Sequence, residues 1–434
     1  MPTPLPDSLP AKLTISLWDF SWYTRTGPGE PFADLDVAFA EAVDRGYNTI
    51  RICAMPLLLF GSGLDTSRLR LGPLGPRDGE GGGYGQRVRW YDVKAATEID
   101  GRAHLLALFE AARKHDCYVI LSSWEYQQSP AFAADRAWLD AVNAIDPERR
   151  ADALASALAD LVDYLAEHGL DDRIAFTELH NEVQAGHLTE GLAGDDVVVA
   201  LRPRLERGIA RFKERHPDRP VTVNYAEVPV GSLRGVPRAV DVAVFHPYVY
   251  GVLDELIDAY ALRDASRPFP QERARRELLR PGAPDLADWG PVESESWRNE
   301  ATVVGDREVY LHDWCDPTKF DAWLYEHYGP HRLAMRQKLT VWIEAAADWA
   351  AERGIPLVFG EGWIGYTPLY GTFEEGPIGA GFSRFAVAES ARVGARGTLV
   401  CSNAAPQHPM WSDVALQREC NAVFVGSRSG SIYS

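Results

Sequence analysis

Eight short apolar runs recur along this chain, at 13–18, 48–53, 117–123, 173–179, 221–225, 242–248, 356–360 and 397–402. Most are continuous rather than alternating, which is the pattern of strands covered on both faces. Segments of helical periodicity lie between most of them. Residues 34–45 place Leu35, Phe39, Ala42 and Val43 on one helical face, and Gly46 follows as a stop. Similar spacing predicts helices over 101–115, 151–168, 195–215, 331–352 and 382–393, with a last one around 413–423. Strand and helix alternating in this way predict a closed parallel (β/α)8 TIM barrel. A doubly wound open sheet is the rival, but the first run is not followed by its glycine-rich fingerprint.

Two segments interrupt the alternation, after strands two and six. The first, about 55–92, includes Gly79, Gly81, Gly82 and Gly83. The second, 252–330, holds Trp289, Trp297, Trp314 and Trp323 without a core pattern of its own, and reads as an elaborated loop. Residues 1–12 are expected to form an N-terminal extension, 13–425 the barrel with both insertions, and 426–434 a flexible tail.

Composition narrows the function. The 434 residues are 46% hydrophobic, enough for a large core, and the formal net charge is −18. That charge argues against nucleic acid and anionic membranes as partners. Of six lysines only Lys12 lies in a strand-like run, and it begins that run, so no lysine is expected in the cleft for Schiff-base chemistry. Five cysteines with no CxxC spacing suggest free thiols in a reducing compartment. No signal peptide and no membrane-length apolar run are apparent, so a cytoplasmic location is expected.

Catalytic groups of a barrel come from the carboxyl ends of its strands. Those ends carry Trp18 and Trp22, Arg51, Trp124 and Glu125, Asn181 and Glu182, Asn224 and Tyr225, His246 and Tyr248, Glu361 and Trp363, and Asn403. Aromatic rings stack on sugar faces, and amides and carboxylates bind hydroxyls. Two carboxylates facing one cleft suit acid/base and nucleophilic work on a glycosidic bond. Glu182 and Glu361 are the candidates. Arg51, a charge inside an apolar strand, needs a partner, and Glu361 across the barrel is expected to be it. Glu178 shares the parity of Glu182 and reads as a structural carboxylate. His180, Glu182, His187 and His246 lack HExxH-type spacing, so no metal is expected.

These residues resemble the retaining glycoside hydrolases of clan A, the cellulase-like barrels related to glycoside hydrolase family 5. The resemblance rests on Asn181-Glu182 ending strand four, Glu361 ending strand seven, Arg51 on strand two and His246-Pro247-Tyr248 on strand six, and it covers residues 13 to about 411. It implies Glu182 as acid/base, Glu361 as nucleophile and Asn181 on the sugar 2-hydroxyl. Arg51, Tyr248 and His246 would surround the pair. Trp18, Trp22, Trp124, Trp363 and Trp411 would be stacking platforms, with Glu125 and Asn403 as further substrate contacts. The chain departs from the family where Trp124-Glu125-Tyr126 replaces a strand-three histidine and no tryptophan directly follows strand eight. The implied activity is retaining hydrolysis of a β-linked oligosaccharide or small glycoside, without a cofactor. A catalytically silent sugar-binding barrel and a transglycosylase are the alternatives.

Overall fold

Strands covered on both faces must find a neighbour on each edge and a helix behind. The computed structural model describes residues 2–72, 85, 93, 95–365 and 367–427. Among them the strands are β1 (Leu13–Asp19), β2 (Thr49–Cys53), β3 (Leu69–Leu71), β4 (Thr97–Ile99), β5 (Tyr118–Ser122), β6 (Ile174–Glu178), β7 (Val221–Thr222), β8 (Asn224–Tyr225), β9 (Ala243–Phe245), β10 (Leu357–Phe359) and β11 (Gly397–Leu399). Nine of them form one sheet in the order β7-β6-β5-β2-β1-β11-β10-β9-β8, with every pairing parallel. The two ends of that order, β7 and β8, are separated in sequence by Val223 alone. The fifth predicted strand is thus two short pieces, one pairing with β6 and the other with β9. The eight expected strands are observed as nine segments, and the sheet comes round on itself through this broken one.

Helices Leu35–Asp44, Gly101–Lys114, Arg150–Glu167, Val197–Lys213, Pro317–Arg353, Pro377–Arg392 and Val414–Gly426 fall close to the predicted segments. One start differs by a wide margin. The helix expected from 331 begins at Pro317, and Pro330 lies inside it. Pro330 removes one N–H from the ladder, but the start signal sits upstream: Pro317 occupies the first turn and Asp316 accepts from Thr318 N and Lys319 N. The last part of the predicted 252–330 loop is therefore helix. The rest of that segment also has order, with helices Val252–Ala259, Gln271–Glu277 and Asp306–Trp314, and its buried Leu278, Val309 and Leu311 join the main core. Strands β3 and β4 form a separate antiparallel ribbon that no sequence pattern announced. The expected tail loses Gly426 to the last helix, while 428–434, the glycine run 79–83 and Lys94 lie outside the described residues. No helix among the described residues is long and apolar enough to cross a membrane.

The outer layer is fitted closely around the strands. Where helices Arg150–Glu167 and Val197–Lys213 cross, a Cβ added to Gly208 would sit 2.9 Å from the carbonyl oxygen of Ala151 and 3.0 Å from Leu179 Cδ1. Alanine favours a helix by about 1 kcal/mol over glycine, but forcing a methyl against a backbone carbonyl costs about 1–3 kcal/mol. Gly208→Ala is expected to lower the urea midpoint, with a net loss of up to about 2 kcal/mol. A gain in stability would show that the two helices separate freely.

Candidate active site

Arg51 stands in the middle of β2, fully buried, so its charge must be met by protein. Four N–H bonds reach partners on β6, in the turn after it and in the turn after β10. Nε and Nη2 donate to Glu178 Oε2 at 3.0 and 2.7 Å, Nη2 also to Asn181 Oδ1 at 2.6 Å, and Nη1 to Glu361 Oε1 at 2.8 Å. The guanidinium lies 4.7 Å from the centre of the Trp124 ring. Burial opposes its charge, but Glu178 and Glu361 outweigh that and raise its pKa above the ordinary value. Glu178 is held again by Asn224, whose Nδ2 donates to Oε2 at 2.8 Å.

Glu361 follows β10 and is gripped on both oxygens. Arg51 holds Oε1, and Tyr248 OH donates to Oε2 at 2.8 Å. The tyrosine is held in turn by Ser402. Gly362 N donates to Ser402 Oγ at 3.0 Å, and Ser402 Oγ lies 2.5 Å from Tyr248 OH. With the tyrosine proton on Glu361, the serine must donate to the tyrosine oxygen.

Glu182 follows β6 in a left-handed conformation, φ 42°, which residues other than glycine, asparagine and aspartate seldom adopt. Its backbone N–H is tied down by Asn224 Oδ1 at 2.6 Å. Its side chain accepts from Gln127 Nε2 at 3.1 Å, and His246 Nδ1 lies 3.2 Å from its Oε1 and 3.6 Å from Glu361 Oε1. Burial pushes the Glu182 carboxyl up to about 7, against the opposing pull of Gln127 and the Arg51 charge. Burial likewise takes His246 down to about 4, so it is neutral near pH 7. Its Nδ1, facing two carboxyl oxygens, is then the protonated nitrogen. A Cβ on Gly360 would come within 2.8 Å of His246 Nε2, so glycine there admits the ring.

A cavity of about 710 Å³ opens above these groups. Trp124, Asn181, Glu182, Tyr248 and Glu361 line it, as do Gln127, Gln184, Tyr250, Arg263 and Glu308. Val303, Val304 and Gly305 of the second insertion form part of its wall, and Lys338 and Trp342 come from helix Pro317–Arg353. A lysine therefore reaches the cavity, contrary to the sequence expectation. It enters from an outer helix rather than a strand end, exposed and 4.5 Å from the centre of the Trp342 ring.

Other predicted contacts lie elsewhere. Trp18 packs outward between Phe32 and Phe39, and Trp22 donates to the Cys53 carbonyl while stacking on His104. Trp363 donates to the Val400 carbonyl, and Trp411 lies against Tyr47 and Arg45 with its N–H on Glu41. Each of these indoles is a core or outer-layer residue, three with the N–H satisfied and Trp18 with its Nε1 buried among the aromatic rings, so none is an open sugar platform. Glu125 is also occupied. Its oxygens accept from Leu57 N, Leu58 N, Ser123 Oγ and Trp138 Nε1, stitching the turn after β2 to the end of β5. Burial pushes it up to about 7. Asn403 is buried with its amide donating to Glu374.

Gln127 and Ser402 escaped the sequence reading. Gln127 sits in a turn in which residues 127–129 all donate to the Trp124 carbonyl, so strand parity no longer says where a side chain points. Ser402 lies one place before Asn403, and nothing in the sequence distinguishes it as the strand-end group that meets Tyr248. Glu182, His246 and Glu361 bring three potential ligand atoms within 4.8 Å of one another. The Arg51 charge on Glu361 Oε1 opposes a divalent cation there. His180 is spent on structure: Nε2 accepts from Tyr126 N at 3.0 Å and Nδ1 faces the Asn181 carbonyl at 2.6 Å.

A family model described as sugar-binding cellulase-like matches residues 15–186. No curated protein sequence matches the chain. A crystal structure from Parabacteroides distasonis ATCC 8503, provisionally named a glycoside hydrolase, superimposes with a TM-score of 0.67 at 19% identity, over 97% of this chain and 96% of that one. An endo-1,4-β-D-mannanase of Thermotoga petrophila RKU-1 gives 0.45 at 14% identity, over 89% and 87%. A tri-modular family 5 endo-β-1,4-glucanase of Bacillus licheniformis gives 0.49 at 12% identity, over 96% and 60%. The chain has the cellulase-superfamily barrel fold, of the type found in clan A retaining glycosidases.

Two stability measurements test the electrostatics. Glu125→Ala leaves four donors without their acceptor and is expected to cost about 2–4 kcal/mol in urea unfolding. A change below about 0.5 kcal/mol would mean that water replaces the carboxylate. For Glu182 the folded value lies above the ordinary 4.5. The folded state therefore binds the proton more tightly, and the resulting stability, present below about 4.5, is lost as pH rises through about 7. Glu182→Gln should gain stability relative to wild type over that window. Parallel pH–stability curves for the two proteins would refute the shift.

Proposed function

We propose that the chain is a retaining glycoside hydrolase acting on a β-linked oligosaccharide or small glycoside. The observation that carries this reading is the approach of Glu182 and Glu361, with one oxygen of each within 4.8 Å at the cavity. Carboxyl pairs of retaining enzymes stand about 5–5.5 Å apart, and those of inverting enzymes about 6.5–9.5 Å. The closer spacing leaves no room for a water between carboxylate and anomeric carbon, and favours direct attack.

In this reading Glu361 attacks the anomeric carbon while Glu182 gives its proton to the leaving oxygen. A glycosyl-enzyme forms through Glu361. Glu182, now a carboxylate, takes a proton from water, which attacks the same carbon and releases the sugar with its configuration retained. A carboxyl raised to about 7 suits both halves of that cycle. Arg51 and Tyr248 orient Glu361, one on each oxygen. Asn181 is fixed by Arg51 on its oxygen and by Gln127 on its nitrogen, at 2.9 Å, which leaves one N–H for the sugar 2-hydroxyl. Trp124, Tyr250 and Trp342 supply the aromatic surface. The barrel is read as eight staves with its two long insertions at the catalytic face, and residues 303–305 in the cavity wall support that for the second. Five cysteines, none joined to another, support a cytoplasmic location.

Turnover of nitrophenyl β-glycosides with different sugars tests the activity. kcat/KM should fall as pH rises above about 7, where Glu182 loses its proton. Glu182→Ala should lose about 10²–10⁴-fold on poor leaving groups and much less on activated ones. Azide should then rescue it with retained configuration, while Glu361→Gly should yield the inverted azide. Exchanged stereochemistry would reverse the two roles. A wild-type protein that binds sugars and cleaves none would be a silent sugar-binding barrel. Coupled products formed with added acceptor would mark a transglycosylase.

A further inference from the structure

Lys12 immediately precedes β1, and only 6% of it is exposed. Arg396 stands in the same place before β11. Their backbones are pinned where the barrel begins. Asn48 Nδ2 donates to the Lys12 carbonyl at 2.9 Å. Arg396 N donates to the Leu357 carbonyl at 2.7 Å, and the Arg396 carbonyl accepts from Leu13 N at 2.9 Å. The two side chains cross. Lys12 Nζ donates to the Ala395 carbonyl at 2.7 Å, and Arg396 Nη1 donates to the Ala11 carbonyl. One of three ammonium donors and one of five guanidinium donors are thereby used. Both residues line a cavity of about 340 Å³ at the amino ends of β1, β10 and β11, the opposite end of the barrel from Glu182 and Glu361. Ala347, Ala350, Ala351, Ile355 and Val393 give it a small apolar wall.

The charge there is not balanced. Among the described residues neither Lys12 nor Arg396 has a carboxylate partner. Other arginines at that end do. Arg392 reaches Glu344 and Glu389 at 2.8 and 2.7 Å, and Arg353 lies 3.7 Å from Glu352. The chain has 62 acidic residues against 44 lysines and arginines, so a basic pair without an acid runs against its trend. Burial lowers the Lys12 pKa and the Arg396 charge lowers it further, and burial lowers that of Arg396 as well. Helices Pro317–Arg353 and Pro377–Arg392 end beside the cavity. A helix carboxyl end carries about half a negative charge, so the two together offset about one of the two cations. The Phe424 ring, its centre 4.8 Å from the ammonium, adds a modest attraction. Positive charge left over at a nearly buried lysine is costly without a counter-ion.

We propose that the cavity between Lys12 and Arg396 binds a phosphate group, free or carried as a monoester on a small molecule. The guanidinium fork takes two oxygens and the ammonium a third. A phosphate brings nearly two negative charges to two cations, where a carboxylate brings one. The alanine-lined wall accepts a compact apolar body, so a monoester gains contacts that inorganic phosphate lacks. The ligand bridges the start of β1, the start of β11 and the last turns of helix Pro317–Arg353, and so stabilises the fold by linkage. The site is separate from the cavity of Glu182 and Glu361, and it stands whether or not the chain cleaves glycosides.

Titration calorimetry on the full chain tests this, with inorganic phosphate, phenyl phosphate and benzoate as probes and sodium chloride at matched ionic strength as control. Wild type should bind both phosphates at one site, phenyl phosphate about tenfold more tightly, and its thermal midpoint should rise with each. Lys12→Met and Arg396→Gln should each weaken binding about 10- to 100-fold and lose the phosphate-dependent rise. Arg353→Gln, whose ion-paired side chain lies outside the lining, should bind within about twofold of wild type. Tighter phenyl phosphate assigns the site to a monoester, and equal affinity assigns it to the free anion; both sustain it. Four results overturn it: no saturable heat up to about 10 mM, a response that chloride reproduces, binding that both variants retain, or benzoate held more tightly than phenyl phosphate. If Lys12→Met does not fold, Arg396→Gln decides alone.

Discussion

One buried guanidinium organises the interior of this barrel. Arg51 comes from β2, and its partners Glu178, Asn181 and Glu361 come from β6, from the turn after it and from the turn after β10. A charge without water is tolerable only when its donors are matched, and here the matching groups are themselves charged and buried. The network works as a brace across the strands and as a template for Glu361 at once. Loss of the guanidinium would leave two carboxylates facing each other in a low dielectric. Asn224 extends the brace, because one amide binds Glu178 Oε2 through its nitrogen and the Glu182 backbone through its oxygen. The left-handed turn that presents Glu182 is therefore fastened to the same carboxylate that fastens Arg51.

Much of this is legible in the sequence. Continuous apolar runs mark the sheet because both faces of a barrel strand are dry, and a charge such as Arg51 or Glu178 inside such a run stands out for the same reason. The pair Glu182 and Glu361 followed from strand ends. The aromatic residues did not obey that logic. An indole at a strand end can turn inward or outward, and Trp18, Trp22, Trp363 and Trp411 all found packing and, in three cases, a hydrogen bond away from the cavity. Of the five tryptophans expected as platforms, Trp124 lines it. Glu125 looked chemical because carboxylates in apolar surroundings usually are, but its four donors make it a fastener. Gln127 was hidden by a turn, and Trp342 and Lys338 by their place on an outer helix. Local pattern says which face of a helix is apolar and not which end overhangs a neighbouring strand. The break at Val223 was equally silent, since Val221-Thr222-Val223-Asn224-Tyr225 reads as one strand.

The long helix Pro317–Arg353 divides the labour between two kinds of scaffold. The groups that move protons and bonds in the proposed reaction sit on or directly after strands, locked by the central brace. Much of the far wall of the cavity belongs to residues 303–305 and to one helix that contributes nothing to that brace. In the proposed reaction, selectivity for whatever the cavity holds can thus be altered at residues 303–305, Lys338 and Trp342 without disturbing the charge balance around Arg51. The barrel has in effect a fixed engine and an interchangeable mouth.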